Sequence, residues 1–327
     1  MVGKSKPLVS IIMLTFNNFT RLRESLISIL RQDYPNIELI ISDDCSVEFP
    51  SDLVTNLINN NKKDNLSSFQ TIINKENLGT VKNLNNCIKA SHGEFIFTLG
   101  AGDLFVDQNS VSNVINVFLE TNCDVIFTSR ILYKNNKLYE VLPHVADWKN
   151  INRMDTKMSM YTSLMKTQHF SMFIGVTMVS RKAVIENHNY YDENYRLLED
   201  LPMIEKVIWN NNVVLCPNLT TILYEGASGV SAKGHVNPIL QKDLDFYNKH
   251  GRLEHYKSLD TKTQKHIDFG IKRCDCTSVF QLIGYCFKYA PRIIDWKIYG
   301  IKRFFAGYKD KNYLKTIKLD DYKSFLS

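Results

Sequence analysis

The sequence predicts an α/β fold, a mainly parallel sheet flanked by helices, followed by a helical and basic C-terminal extension. Three observations predict it. Residues Leu8 to Thr15 form an almost continuous apolar run of strand length, the pattern of a parallel strand buried on both faces. Strand-length and helix-length patterns then alternate as far as Thr128, and such alternation builds doubly wound sheets. Finally, residues 279–327 hold ten Lys or Arg against four Asp, so the formal net charge of +6 belongs to this tail and the first 278 residues are neutral.

The elements follow in order. The run LVSIIMLT stops at the polar pair Asn17-Asn18, and Thr20 is placed to cap a helix that carries Leu22, Leu26, Ile29 and Leu30 on one face. That helix ends near Tyr34-Pro35, and a strand is expected over 37–42. Next come a helix bearing Leu53, Val54, Leu57 and Ile58, a strand over 69–73, a helix over 80–90 and a strand over 94–99. A further helix carries Val111, Val114, Ile115 and Phe118, and residues 124–128 read as another strand. From 134 to about 170 the pattern is less regular and more polar, as in an insertion that covers a site, and acceptor specificity is expected there. The expected division is a domain over 1–240, in two halves (1–130 and 131–240), and a helical region over 241–327.

With 327 residues, 44% hydrophobic and 23% charged, the chain has the composition of a globular protein with a sizeable core. No stretch reaches the ~18 apolar residues of a membrane-spanning helix, and the first apolar run lacks a small-residue cleavage site, so a cytoplasmic protein without a signal peptide is expected. Seven cysteines, an odd and scattered set, lack zinc-site spacing and read as reduced thiols. Because the excess charge is confined to the tail, no nucleic-acid surface is expected.

Ligands of doubly wound sheets bind beyond the carboxyl ends of the strands. That rule singles out Thr15-Phe16-Asn17, Asp43-Asp44, Asn74 to Gly79, and Gly100 to Asp103. Asp43 and Asp44 offer acceptors for a base N–H or for ribose hydroxyls, Phe16 offers a face for stacking, and Thr15 and Asn17 add polar contacts. These groups suit a nucleoside diphosphate. Singly each is weak, since two acids after a strand also make an ordinary turn or helix cap.

The runs PLVSIIMLTFNN, SILRQDYPNIELIISDDCS and NKENLGTVKNLNNCIKASHGEFIFTLGAGD, with LLEDLP at 197–202, resemble the family 2 glycosyltransferases in order, spacing and residue type. The resemblance covers Pro7 to Asp103 closely. It implies a GT-A fold and inverting sugar transfer, of the type that builds bacterial cell-surface or capsular polysaccharide. It also implies that Thr15, Phe16 and Asn17 line the base pocket, that Asp44 reads uracil, and that Asn77, Gly79 and Asn85 lie near the nucleotide. Asp103 matches the last acid of the family's Asp-x-Asp motif, which holds Mn²⁺ or Mg²⁺. Here the chain departs from the pattern: it reads Leu99-Gly100-Ala101-Gly102-Asp103, keeps one carboxylate, and at Gly102 has no side chain to contact the ribose.

An inverting transfer needs a base within reach of the acceptor hydroxyl. The resemblance places it in the pair Glu199-Asp200, with Asp200 as the assignment and Glu199 as the alternative; acids at a helix start also simply complement the helix dipole. Downstream, the small-residue run Tyr224 to Ser231 precedes Lys233 and His235, which either contact the diphosphate or are solvated loop residues. The stretch 279–306 is aromatic, basic and amphipathic around Pro291, with Trp296, Phe304 and Phe305. It packs either on the domain or a second subunit, or lies on an anionic membrane surface and brings the site to a lipid-linked acceptor.

The expected reaction thus moves a sugar from a nucleotide-sugar donor, a UDP-sugar with a dTDP-sugar left open, to a carbohydrate acceptor. A sugar-phosphate nucleotidyltransferase would show a Gly-rich signature with Arg and Lys after the first strand, where this chain has Thr15-Phe16-Asn17-Asn18. The rival of another class is a noncatalytic sugar-nucleotide-binding or docking protein whose metal motif has decayed, and retention of Asp103, Glu199 and Asp200 weighs against it. A homo-oligomer is left open.

Overall fold

Alternation along β1 (Val9–Thr15) sends Val9, Ile11 and Met13 to one face of a nine-stranded sheet and Ile12 to the other. The computed structural model describes residues 6–134, 137–168, 170–224, 237–289 and 310–317. On the first face pack α1 (Leu22–Leu30), α2 (Ser51–Asn61) and α4 (Ser110–Thr121), through Leu22, Leu26, Val54, Ile58, Val114 and Phe118. On the other face lie α3 (Thr80–Ala90), α6 (Lys157–Met165) and α8 (Asp200–Asn210). Each helix shows apolar residues at three- and four-residue spacing because only one stripe of it meets the sheet.

The strands run β3-β2-β1-β4-β8-β6-β9-β5, with β7 (Lys137–Leu142) paired to β6 (Val125–Lys134). β2 (Ile37–Asp43), β3 (Leu66–Ile73) and β4 (Phe95–Gly100) pair parallel around β1 as the alternation predicts. Beyond β4 the sheet is mixed. β8 (Met178–Arg181) enters antiparallel between β4 and β6, while β9 (Val213–Tyr224) pairs parallel with β6 and antiparallel with the short β5 (Leu104–Phe105). Pairing between strands far apart in sequence leaves no mark on local periodicity, so this half was not readable from alternation. The polar stretch after 134 is also more ordered than expected: it holds β7, the single turn α5 (Trp148–Ile151) and α6, which Thr156 and Ser159 start with a reciprocal capping box. Thr20 does not cap α1; Arg21 occupies that position with no side-chain cap.

After β8 the short α7 (Lys182–Asn187) leads to α8, and after β9 come α9 (Pro238–Lys249) and α10 (Thr261–Cys274). Tyr247, Leu259 and Ile267 join the same core as Tyr161 and Ile204, so α9 and α10 bury their apolar faces against α6 and α8. In contrast α11 (Val279–Lys288) leaves Val279 71%, Phe280 87% and Phe287 80% exposed. The chain returns at 310–317: Asp310, itself buried, accepts from the Val145 N–H at 2.9 Å and bonds the His144 ring, and the Tyr313 hydroxyl meets that of Thr220 at 2.9 Å. No helix among the described residues is long and apolar enough to cross a membrane.

Candidate functional site

The parallel ladder continues one step past the strands and thereby gathers their ends. The Asp44 N–H donates to the Thr15 carbonyl, the Asn74 N–H to the Asp43 carbonyl and the Ala101 N–H to the Leu14 carbonyl, each at 2.9 Å. Thr15 to Asn17, Asp43-Asp44, Asn74 to Gly79 and Gly100 to Asp103 therefore share one edge of the sheet. Backbones there adopt conformations that most residues avoid: φ is 48° at Asn17, 66° at Cys45, 82° at Gly79 and 111° at Gly102.

Side chains lock these loops together. The Asn17 N–H donates to Ser46 Oγ at 2.7 Å, and its Oδ1 accepts from the Val47 N–H at 3.1 Å. Asp43 is buried and spends both oxygens on Ser46, whose N–H and hydroxyl donate to it. Asp44 accepts from the N–H groups of Leu78 at 2.8 Å and Gly79 at 2.9 Å and from Asn74 Nδ2 at 3.0 Å. An ionised carboxylate has about four acceptor positions, so each acid is first a builder of the loops: the bonds named fill two positions of Asp43 and three of Asp44. Thr15 is buried, and its hydroxyl donates to the Asn18 carbonyl at 3.3 Å. Phe16, 48% exposed, keeps a face free for stacking. Asn77 is clamped by Arg196, whose Nη2 donates to both its carbonyl and its Oδ1 at 2.7 Å. Asn85 points away from this edge and clasps the backbone of Tyr191, donating at 2.8 Å and accepting at 3.0 Å.

Gly102 donates its N–H to Ser25 Oγ of α1 at 2.9 Å. Asp103, 9% exposed, accepts weakly from the Gly100 N–H at 3.3 Å. Among the described residues no group of three or more His, Cys, Asp or Glu could hold a metal ion. Asp103 alone therefore fits a cation that arrives on a diphosphate, since Mg²⁺ commonly takes one or two carboxylates plus substrate phosphates; it does not fit a cation caged by protein.

The acid pair lies at the start of α8. Burial, then the neighbouring Asp200, push Glu199 up to about 8. Burial raises Asp200 as well, but the N–H groups of Leu201 at 2.7 Å and Gly175 at 3.4 Å and the guanidinium of Arg130 pull it down. The net direction at Asp200 is still upward, with burial the largest cause, but the two backbone donors meet Asp200 and so favour the charge there over Glu199. Gly175 is close enough that a Cβ there would lie 3.2 Å from Asp200 Cβ and 3.4 Å from Glu199 Oε1. Lys233 and His235, and most of 279–306, including Pro291, Trp296, Phe304 and Phe305, lie outside the described residues.

Three residues that the sequence pattern did not single out hold the candidate loops in place. Arg130 is the single charge between 125 and 133, a visible signal. Arg196 and Asp243 give none: Asp243 of α9 accepts the N–H groups of Arg196, Leu197 and Leu198, and its partners lie 45 to 47 positions away.

Comparison with known proteins follows the same line. The family described as Glycosyl transferase family 2 matches residues 10–187. An uncharacterised glycosyltransferase of Rickettsia typhi is 26% identical over 323 residues, 90% of this chain and 95% of the relative. A putative colanic acid biosynthesis glycosyl transferase of Escherichia coli, WcaA, is 34% identical over 135 residues, 41% of this chain and 44% of the relative. The structure of S. aureus TarS 1–349 in complex with UDP-GlcNAc superposes with a TM-score of 0.55 at 15% identity, over 82% of this chain and 80% of that one. The mannosyltransferase PcManGT from Pyrobaculum calidifontis in complex with GDP-Man and Mn²⁺ gives 0.51 at 14%, over 97% and 88%. At such identities the last two show a shared fold.

Proposed function

The chain belongs to glycosyl transferase family 2, and from that premise we propose that it transfers a sugar with inversion from a nucleotide diphosphate donor to a carbohydrate acceptor, with Asp200 as the general base. The protein is a glycosyltransferase of nucleotide-sugar-dependent polysaccharide synthesis; the donor, the acceptor and the roles below are our reading. The observation that carries it is the unequal hydrogen bonding of the acid pair: the N–H groups of Leu201 and Gly175 both donate to Asp200, which supports Asp200 rather than Glu199 as the group that carries the charge.

In this reading the nucleotide occupies the edge built by Thr15, Phe16, Asn17, Asp43, Asp44, Asn77, Gly79 and Gly102. Phe16 stacks on the base, and Asp44 faces a uracil edge with the acceptor capacity that Leu78, Gly79 and Asn74 leave. Asp200 takes the proton of the acceptor hydroxyl, the acceptor oxygen bonds to the anomeric carbon, and the bond from that carbon to the phosphate oxygen breaks, releasing the nucleoside diphosphate. No covalent link to the enzyme forms. Asp103 would hold a Mn²⁺ or Mg²⁺ brought by the diphosphate, which would supply charge neutralisation to the leaving group.

Support for a lipid-linked acceptor on an anionic membrane surface comes from α11, whose exposed Val279, Phe280 and Phe287 open the tail that carries the chain's excess positive charge. Similarity to WcaA, and to TuaG of Bacillus subtilis, a putative teichuronic acid biosynthesis glycosyltransferase, agrees with surface polysaccharide as the product. The test is nucleoside diphosphate release from a panel of nucleotide sugars, with membrane extract as acceptor and either cation. Release from one donor that is lost in Asp200→Asn and Asp103→Ala is expected; full turnover by Asp200→Asn would overturn the assignment of the base.

A further inference from the structure

A guanidinium inside an apolar strand has to be compensated, because an unpartnered buried charge costs several kcal/mol. On β6, Val125, Ile126, Phe127, Ile131 and Tyr133 are buried, and Arg130 among them is 7% exposed. Its backbone pairs with Leu142 of β7 and Ile222 of β9, and Ile222 in turn pairs with Phe105, two positions after Asp103. The side chain lies 5.6 Å from the Tyr224 ring centroid and donates from Nη1 to the Ser171 carbonyl at 2.8 Å. Ser171 belongs to the turn that leads to Gly175, whose N–H donates to Asp200. Nε of Arg130 is buried and has no hydrogen-bond partner among the described residues.

We propose that Arg130 is a positioning residue for Asp200: a buried, permanently charged counter-ion that β6 carries between Asp103 and the acid pair. Its electrostatic partners are Tyr224, Asp103, Asp200 and Glu140. Facing Asp200 are Glu199 on the same turn, Arg130 from β6 and the buried Tyr191, whose hydroxyl is held protonated by burial and by the two acids. Arg130 is thus the one cation among these groups, and it opposes burial in keeping Asp200 charged. An arginine suits that duty because burial does not strip its proton at physiological pH: it falls only to about 10.

The consequence for catalysis rests on Asp200 being the base, whereas the titration that tests Arg130 does not. Protein carrying ¹³C at its aspartate carboxyl groups, with Asp200→Asn to assign the signal, is titrated as wild type, Arg130→Lys and Arg130→Gln. Gln keeps a donor for the Ser171 carbonyl without the charge; Lys keeps the charge. The Asp200 midpoint is expected to move up in Arg130→Gln and to return towards wild type in Arg130→Lys. With the donor found in the nucleotide-sugar panel, kcat/KM at pH 6 relative to pH 8 falls about tenfold in Arg130→Gln. An unmoved midpoint in the folded Gln variant overturns the proposal. A moved midpoint with an unmoved pH profile upholds Arg130 and rejects Asp200 as the base. Where Arg130→Gln does not fold, Arg130→Met fills the apolar stem without a charge and gives the same two readings.

Discussion

The carboxylate of Asp243 accepts the backbone N–H of Leu197 at 2.6 Å, and with it those of Arg196 at 2.9 Å and Leu198 at 3.1 Å. A side chain of α9 therefore sets the path of the chain that delivers Glu199 and Asp200. Asp243→Ala leaves three N–H groups without that acceptor, at a cost of about 1–3 kcal/mol. We expect a lower melting temperature and a fall in kcat larger than the change in donor KM, because Asp243 holds the chain leading to Asp200 directly and reaches the proposed donor edge only through the Arg196 clamp on Asn77. Steady-state kinetics with the donor varied decides; a change in donor KM alone would place Asp243 on the wrong half of the site.

Gly79 meets a different demand. Its φ of 82° is open to glycine, and a Cβ there would stand 2.5 Å from Arg196 Cγ and 2.7 Å from the Arg196 carbonyl oxygen. Its N–H is also one of the two backbone donors to Asp44. Gly79→Ala is expected to lose about 1–3 kcal/mol of stability from backbone strain and to weaken nucleoside diphosphate binding by displacing Asp44. Calorimetric titration with UDP measures the second effect. Unchanged UDP affinity in a folded Gly79→Ala protein would separate the Asp44 loop from the nucleotide.

That Thr15, Asp43-Asp44, Asn77 and Asp103 share one edge of the sheet was legible in the sequence because it follows from local pattern. Apolar runs ending in Asn17, Asp44 and Asp103 locate strand ends, and the predicted helix over 80–90 coincides with α3 after the Asn77-x-Gly79 step. What Asp43 and Asp44 do there was not legible: whether a carboxylate meets solvent or the N–H groups of Ser46, Leu78 and Gly79 depends on how loops pack. Arg130 and Asp243 act across strands and helices distant in sequence, and the antiparallel entry of β8 hides for the same reason. The groups that oppose burial at Asp200 include the Gly175 N–H and the Arg130 guanidinium, neither adjacent in the chain.

Burial of two glutamates makes stability depend on pH with a definite sign. Glu199 holds its proton up to about 8, against 4.5 as its ordinary value, and Glu205, buried near Tyr247 and Tyr161, up to about 7. Between those ordinary and raised values the folded chain binds protons that the unfolded chain has released, so stability is greatest near the acid end of this window and falls as pH rises through it. Glu199→Gln is expected to match wild type near pH 5 and to melt at a higher temperature near pH 8.5. Thermal melts across that range check it, and two curves that stay parallel would mean that Glu199 ionises freely in the folded protein.

The exposed face of α11 yields the last prediction. Phe280 and Phe287 are 87% and 80% exposed on a helix capped at Ser278, and fully burying such a side chain is worth about 1.5–3 kcal/mol. If the face rests on lipid, the protein floats with vesicles rich in phosphatidylglycerol, less so in high salt because the basic tail contributes a screened attraction. Phe280→Ser with Phe287→Ser should then cut the partition by at least about tenfold, while UDP binding in solution stays as in wild type. A second copy of the chain would cover the same face by a different route. Sedimentation would reveal it as a concentration-dependent dimer that the same two substitutions dissociate, with no flotation of the wild type, and that outcome would remove the membrane from the reading.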